Sequence, residues 1–206
     1  FHRVSPLPAH TATFGFVIGG PIREYLIAGI LWPFALFCAI LGKPGISGFA
    51  AISIVMLTTT LLFHMMAMNA GILSRKGKTR GSSMGIAFLM ILSTGSSPSV
   101  LAGLPIPGLL TVGPAYSEAM GMVDARADLP TFFGLELPLF LQSLIYQIPV
   151  IIFLTIPVVR RMRSAQASLY SKPTAIACLA TLSFLNLGGI VNHPQLKAEH
   201  FIPMLL

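Results

Sequence analysis

Long apolar runs alternate with short polar stretches along most of the chain. A transmembrane helix needs about 20 predominantly apolar residues, and five runs meet or approach that length. They lie at residues 25–42, 47–73, 84–104, 132–159 and 173–191. Another apolar run begins at residue 201. The pattern predicts an all-α fold, a polytopic transmembrane helical bundle with five full spans and the start of a sixth.

The whole chain, residues 1–206, is expected to form a single transmembrane domain. It begins with Phe1 rather than Met and ends inside an apolar run, so we expect a fragment truncated at both ends. The third run is interrupted at residues 93–99 by Ser, Thr, Gly and Pro. Bare backbone cannot face lipid, so this interruption must face protein, water or the membrane interface.

The composition agrees with a membrane environment. Hydrophobic residues make up 54% of the chain, charged residues only 9%, and the mean hydropathy is +0.82. Soluble domains average about 25% charged residues, so too few charges remain to cover a globular surface. The net charge of +7 could suggest nucleic acid, but the cations lie in short loops between apolar runs. We therefore expect a lipid bilayer as the partner, and no nucleic acid.

One loop determines the predicted topology. Residues 74–81 contain Arg75, Lys76, Lys78 and Arg80 and no acidic residue. Short loops rich in Lys and Arg stay on the cytosolic side of the membrane. With this loop inside, the alternation of spans places a second basic group inside as well, at Arg160, Arg161, Arg163 and Lys172.

The predicted outer loops carry few cations. They contain Lys43, Arg126 and Lys197, against eight cations in the inner loops. Five spans and the charge rule thus agree on one orientation, and Arg23 also falls inside. The predicted location is the inner membrane of the cell, as a multi-pass protein.

Four polar residues within the predicted spans are candidates for a translocation path. His64 lies in the second span, and an ionisable group there is costly to place in lipid. The alternative is a neutral imidazole hydrogen-bonded within the bundle, with Thr60 one turn away. In the fourth span, Glu136, Ser143 and Gln147 are predicted to share one helical face. That face is either part of a path or a structural polar seam.

The sequence contains no motif for a nucleotide, a metal ion or a hydrolytic site. We therefore expect no cofactor and no catalytic residues, and a protein that is not itself an enzyme. If ATP drives it, a separate subunit or domain must bind the ATP.

Several segments resemble the membrane subunit of an ABC-2 type exporter, as a divergent bacterial member. Residues 18–26, Ile-Gly-Gly-Pro-Ile-Arg-Glu-Tyr-Leu, are similar to the short cytosolic helix that precedes a span in these permeases. Residues 63–76 and residues 160–173 are similar to further segments of the family.

The resemblance implies a permease subunit that moves an unknown substrate using ATP hydrolysed by a cytosolic ABC ATPase subunit. It also implies a homodimer or heterodimer of permease subunits. The residues expected to contact the ATPase are cytosolic, charged and joined directly to spans. They are Pro21, Ile22, Arg23, Glu24, Arg75, Lys76, Lys78 and Arg80.

Two alternatives remain open at this stage. A membrane-embedded protease or lipid-modifying enzyme could use His64 or Glu136, and the two would have to approach each other to cooperate as acid and base. A non-catalytic membrane assembly subunit would carry the same polar residues as packing. A cavity lined by Glu136, Ser143 and Gln147 would favour transport, and a packed seam would favour assembly.

Overall fold

The computed structural model describes residues 7–74, 109–122, 132–164 and 168–190. These ranges are predominantly helical, and they contain no β-strand beyond one isolated bridge between Phe132 and Leu135. Their helices, in chain order, are α1 (Ala9–Gly19), α2 (Ile22–Leu41), α3 (Gly45–Ser74), α4 (Gly113–Ala119), α5 (Leu139–Arg163) and α6 (Lys172–Ile190).

The all-α prediction is confirmed, but fewer spans are found than the five expected. Within the described ranges, three helices are long and apolar enough to cross a membrane, at Ile22–Leu41, Gly45–Ile72 and Leu139–Arg163. The predicted span at 173–191 forms a helix, Lys172–Ile190, which is not among the three. The span predicted at 84–104 lies outside the described residues. The described part of the chain is thus helical and contains three candidate membrane spans.

Proline residues set the boundaries of two helices. Pro21 separates α1 from α2. Pro138 precedes α5 with extended backbone angles, φ −53° and ψ 142°. Proline cannot donate a backbone hydrogen bond, which is tolerated before or at a helix start. The predicted fourth span at 132–159 was therefore placed too early, because its first seven residues form a turn and an extended segment instead of helix.

Two ring contacts show that α2 and α3 run in opposite directions. The rings of Tyr25 and His64 are 6.2 Å apart, and those of Trp32 and Phe49 are also 6.2 Å apart. The residue numbers rise along α2 as they fall along α3. The tight turn at residues 42–44 between the helices explains this hairpin, since so short a connection forces neighbouring helices to be antiparallel.

The pair formed by α3 and α5 is the centre of the bundle, and its helices are parallel. Thr58 of α3 donates a hydrogen bond to Gln147 of α5. Farther along both helices, Asn69 Nδ2 donates to the carbonyl oxygen of Leu154 at 2.8 Å. The two contacts follow the same order along both helices, so α3 and α5 run in the same direction.

The hairpin of α5 and α6 is antiparallel. Tyr146 donates a hydrogen bond of 2.7 Å to the carbonyl of Leu185, whereas Tyr170, before α6, reaches Phe153. The start of α2, the end of α3, the end of α5 and the start of α6 therefore share one end of the bundle. We call it the inner end, because it is the end that the cation count assigns to the cytosol.

The inner end of α3 extends beyond the start of α2. Tyr25, near the start of α2, is level with His64, so α3 continues for ten residues, about 15 Å, past that level. The part of α3 beyond that level has no counterpart in α2.

Residues 109–122 are packed into the bundle rather than lying free at its outer end. Leu109, Thr111 and Ala115 are buried. Gly48 of α3 allows the close approach of α4, because a side chain there would lie 3.2 Å from the Cβ of Ala119.

Candidate functional site

Gln147 is the centre of a buried polar seam between α3, α5 and the segment before α4. Its side chain is fully buried. It accepts a hydrogen bond from Thr58 and donates to Thr59 Oγ1 at 3.1 Å and to the carbonyl of Leu109 at 3.2 Å. The sequence marked Gln147 as a residue that should avoid lipid, and the structure shows how: each polar atom of its amide finds a partner inside the bundle.

Ser143 lies one turn before Gln147 on the same face and is also fully buried. Among the described residues, its Oγ has no hydrogen-bond partner. Gln142 is buried beside it, and its Nε2 donates to the carbonyl of Leu137 at 2.9 Å. Along this face of α5, Gln142, Ser143 and Gln147 are all shielded from solvent.

Glu136 does not belong to this seam. It is exposed and precedes α5, which begins at Leu139. The prediction that Glu136, Ser143 and Gln147 share one helical face is thus wrong for Glu136. The turn at Phe132–Leu135 and the segment up to Pro138 are not helical, so Glu136 lies outside α5.

The imidazole of His64 is hydrogen-bonded within the bundle, which was the structural alternative to a role in a translocation path. Its Nδ1 lies 2.7 Å from the carbonyl oxygen of Thr60, on its own helix, and its ring is tilted against Tyr25. From the level of Gln147, His64 lies about 8 Å towards the inner end and the start of α5 about 12 Å towards the outer end. The structure does not bring His64 and Glu136 together.

An aromatic cluster at the outer end was missed by sequence reasoning. The ring of Phe132 packs edge-on against those of Phe133 and Tyr146, at 5.0 and 6.1 Å, and Phe133 lies 4.8 Å from Phe184. Gly188 makes room, since a Cβ there would lie 2.6 Å from both neighbouring rings. The signal was present in the aromatic pair followed by Gly134, which adopts φ 81° in the turn.

Glu118 is a second residue that the sequence did not single out. Its Oε2 accepts a hydrogen bond of 3.2 Å from the backbone N–H of Phe140, in the first turn of α5. Pro138, at the preceding N-cap, supplies no side-chain cap. A carboxylate at a helix N-terminus satisfies a free donor and complements the helix dipole. Glu118 therefore fastens α4 to the start of α5.

A pocket of about 820 Å³ lies near the inner end between α1, α3 and α5; we call it the inner pocket. Phe14 comes from α1, and Leu61 and Met65 come from α3. The remaining wall is one face of α5 from Ile151 to Arg163, followed by Ser164. None of the four predicted translocation residues is among the described residues that line it.

The predicted ATPase-contact residues divide into two groups. Ile22, Arg23 and Glu24 are exposed, and Pro21 is partly exposed, at the corner between α1 and α2. We call residues 20–24 the α1–α2 corner. The loop cations Arg75, Lys76, Lys78 and Arg80 lie outside the described residues.

The described ranges define a helical protein with three candidate membrane spans and buried central polar residues. They hold no group of three or more His, Cys, Asp and Glu side chains placed to bind a metal ion. No protein-family model, curated protein or solved structure matches this chain.

Proposed function

We propose that this chain is the membrane-spanning permease subunit of an ABC-type exporter, with ATP hydrolysed by a separate cytosolic subunit. The observation that carries the proposal is the α1–α2 corner. It is an exposed corner with charges of both signs, at Arg23 and Glu24, located at the inner end of the bundle.

The corner is connected to both halves of the central helix pair. On one side, α1 packs against α5, and its Thr13 and Val17 are buried. On the other side, α2 packs against α3 through the contacts of Tyr25 and Trp32. A force applied at the corner by a cytosolic partner would therefore reach α5 through α1 and α3 through α2. This geometry suits the coupling of ATP binding to a movement of the bundle.

Purification of the intact protein in mild detergent, with identification of the proteins that accompany it, tests the proposal. We expect an ATPase to copurify, and its hydrolysis rate to change when the pair is reconstituted in vesicles. The charge-reversed variant R23E/E24R should recover at least about fivefold less ATPase, the effect of losing ~1 kcal/mol of interaction.

Lys43→Glu is the matched control, because Lys43 is an exposed cation at the opposite end of α2. It should leave the recovery unchanged. The exporter proposal is wrong if no ATPase copurifies with the intact protein and if reconstituting the intact protein in vesicles does not change the rate of ATP hydrolysis.

A second candidate, a non-catalytic membrane assembly subunit, is favoured by the packing of the seam. Ser143 and Gln147 are fully buried, and Gln147 is held by three hydrogen bonds inside the bundle. The same purification separates the candidates, since an assembly subunit would bring down other membrane proteins and no ATPase.

A further inference from the structure

We propose that the inner pocket binds an anionic glycerophospholipid of the inner leaflet. The pocket has an apolar part and a basic part, at opposite ends of its length. Leu61, Met65 and Ile152 line the apolar part, and Arg160 and Arg163 lie at the other end. A phospholipid has the same two parts, an acyl chain and a phosphate.

The direction of the pocket matches the direction of a lipid in that leaflet. Ile151 lies nine residues before Arg160 on α5, so the apolar part begins about 14 Å closer to the outer end. The arginines are on the last turn of α5, at the inner end. An acyl chain in the apolar part would point towards the membrane centre, and its phosphate would reach the arginines.

The charges near the basic part favour an anion. The described ranges contain three acidic side chains, Glu24, Glu118 and Glu136. Glu118 and Glu136 are beside the start of α5, at the opposite end of the helix from Arg160. Glu24 lies at the same end as Arg160, on the α1–α2 corner, but it does not line the pocket. Arg160 is also positioned, since its Nη2 donates a hydrogen bond of 3.2 Å to Ser168 Oγ. Guanidinium groups suit phosphate because their several donors match its oxygens.

The walls also agree with an acyl chain. Phe14 lines the pocket and is 56% exposed, so an apolar surface of α1 faces the open space of the pocket. An amphipathic site between helices at the cytoplasmic side, with cations at its mouth, is a recognised form of lipid site in membrane proteins. The proposal does not depend on the exporter function.

Native mass spectrometry of the full chain, released from nanodiscs of mixed phosphatidylglycerol and phosphatidylcholine, tests this inference. The wild type should retain phosphatidylglycerol selectively. The double variant R160Q/R163Q should retain it about thirtyfold less, or about fivefold for each arginine lost near the headgroup.

R23Q/K172Q is the matched control, because both cations are exposed at the same end but do not line the pocket. It loses the same charge and should retain the lipid as the wild type does. Thr155→Trp, which fills the pocket and keeps both arginines, should also lose the lipid. Circular dichroism and monodisperse elution establish that each variant is folded.

Three results would overturn the inference. Equal retention of both lipids by the wild type would remove the anion preference. Equal loss in the two double variants would show a general effect of surface charge. Displacement of bound phosphatidylglycerol by millimolar glycerol phosphate would show a phosphate site in which the acyl chain has no part.

Discussion

The hydroxyl of Tyr170 donates a hydrogen bond of 2.9 Å to the carbonyl oxygen of Phe153. That carbonyl is four residues before Pro157, which lies inside α5. Proline has no N–H, so the carbonyl loses its helical partner. Tyr170, from the connection between α5 and α6, supplies the missing donor.

Tyr170→Phe should lower the free energy of unfolding by about 1–2 kcal/mol, because it leaves a part-buried carbonyl without a donor. The loss should be much smaller in the Pro157→Ala background, where the restored N–H can bond to Phe153. Reversible unfolding in detergent, followed by circular dichroism, measures both differences. An equal cost in the two backgrounds would show that Tyr170 does not compensate for the proline.

The same tyrosine predicts a dependence on alkaline pH. Burial raises the pKa of the Tyr170 hydroxyl, and the neighbouring Cys178 adds to the increase. The unfolded chain therefore loses this proton first, at a pH of about 10, and stability decreases as the pH rises further. Below that pH the contribution is fully present.

The difference between the wild type and Tyr170→Phe isolates this effect from other groups that titrate at high pH. It should be constant from pH 7 to about pH 9 and shrink above about pH 10. Unfolding curves at half-unit intervals provide the measurement, and a difference that grows with pH would contradict the sign.

Gln147 and Ser143 offer a matched pair on one face of α5. Gln147→Leu should cost about 2 kcal/mol, since it removes three hydrogen bonds between segments of the bundle at about 0.6 kcal/mol each. Ser143→Ala should be neutral or stabilising, because Oγ is buried without a partner in the described ranges. A larger cost for Ser143→Ala than for Gln147→Leu in the same unfolding assay would reverse the roles assigned to the two side chains.

The cap on α5 can be tested against a neighbouring acid. Glu118→Ala should lower the free energy of unfolding by about 1 kcal/mol, the usual cost of losing a side-chain cap. Glu136→Ala removes an equal charge close to the same helix start, but Glu136 is exposed and precedes α5. Its effect should stay within about 0.5 kcal/mol. Equal effects would assign the stability to net charge rather than to the hydrogen bond with Phe140.

The sequence predicted the helices well where one signal acts alone. The length of the apolar runs identified α2, α3 and most of α5. The cation count assigned four helix ends to the same side, and the structure places these ends together. Spacing alone failed at Glu136, because helical periodicity cannot be extended across Pro138. The sequence justified a polar seam at Ser143 and Gln147, but not its packing.

Contacts between distant segments could not be predicted from the chain. The cap that Glu118 provides to Phe140 spans 22 residues, and the contact between Gln147 and Leu109 spans 38. Which residues form such pairs depends on the angles and positions at which the helices cross. A local sequence pattern does not contain that information. The inner pocket is a case of the same kind, since its lining comes from three helices.

The shared inner end of the bundle gives the most direct test of the fold in a membrane. Lys43 and Ser168 are both exposed, but Lys43 follows α2 at the outer end, whereas Ser168 lies beside Arg160 at the inner end. Two single-cysteine variants, Lys43→Cys and Ser168→Cys, can be made after Cys38 and Cys178 are replaced by alanine.

In intact cells, a maleimide that cannot cross membranes should label the Lys43→Cys variant and leave Ser168→Cys unlabelled until the cells are permeabilised. The physical reason is that three arginines on the last turn of α5 oppose its translocation. Labelling of both cysteines from the same side would contradict the antiparallel hairpin of α2 and α3 combined with the parallel pair of α3 and α5. Labelling of Ser168→Cys alone would keep the helix directions and invert the orientation of the whole bundle.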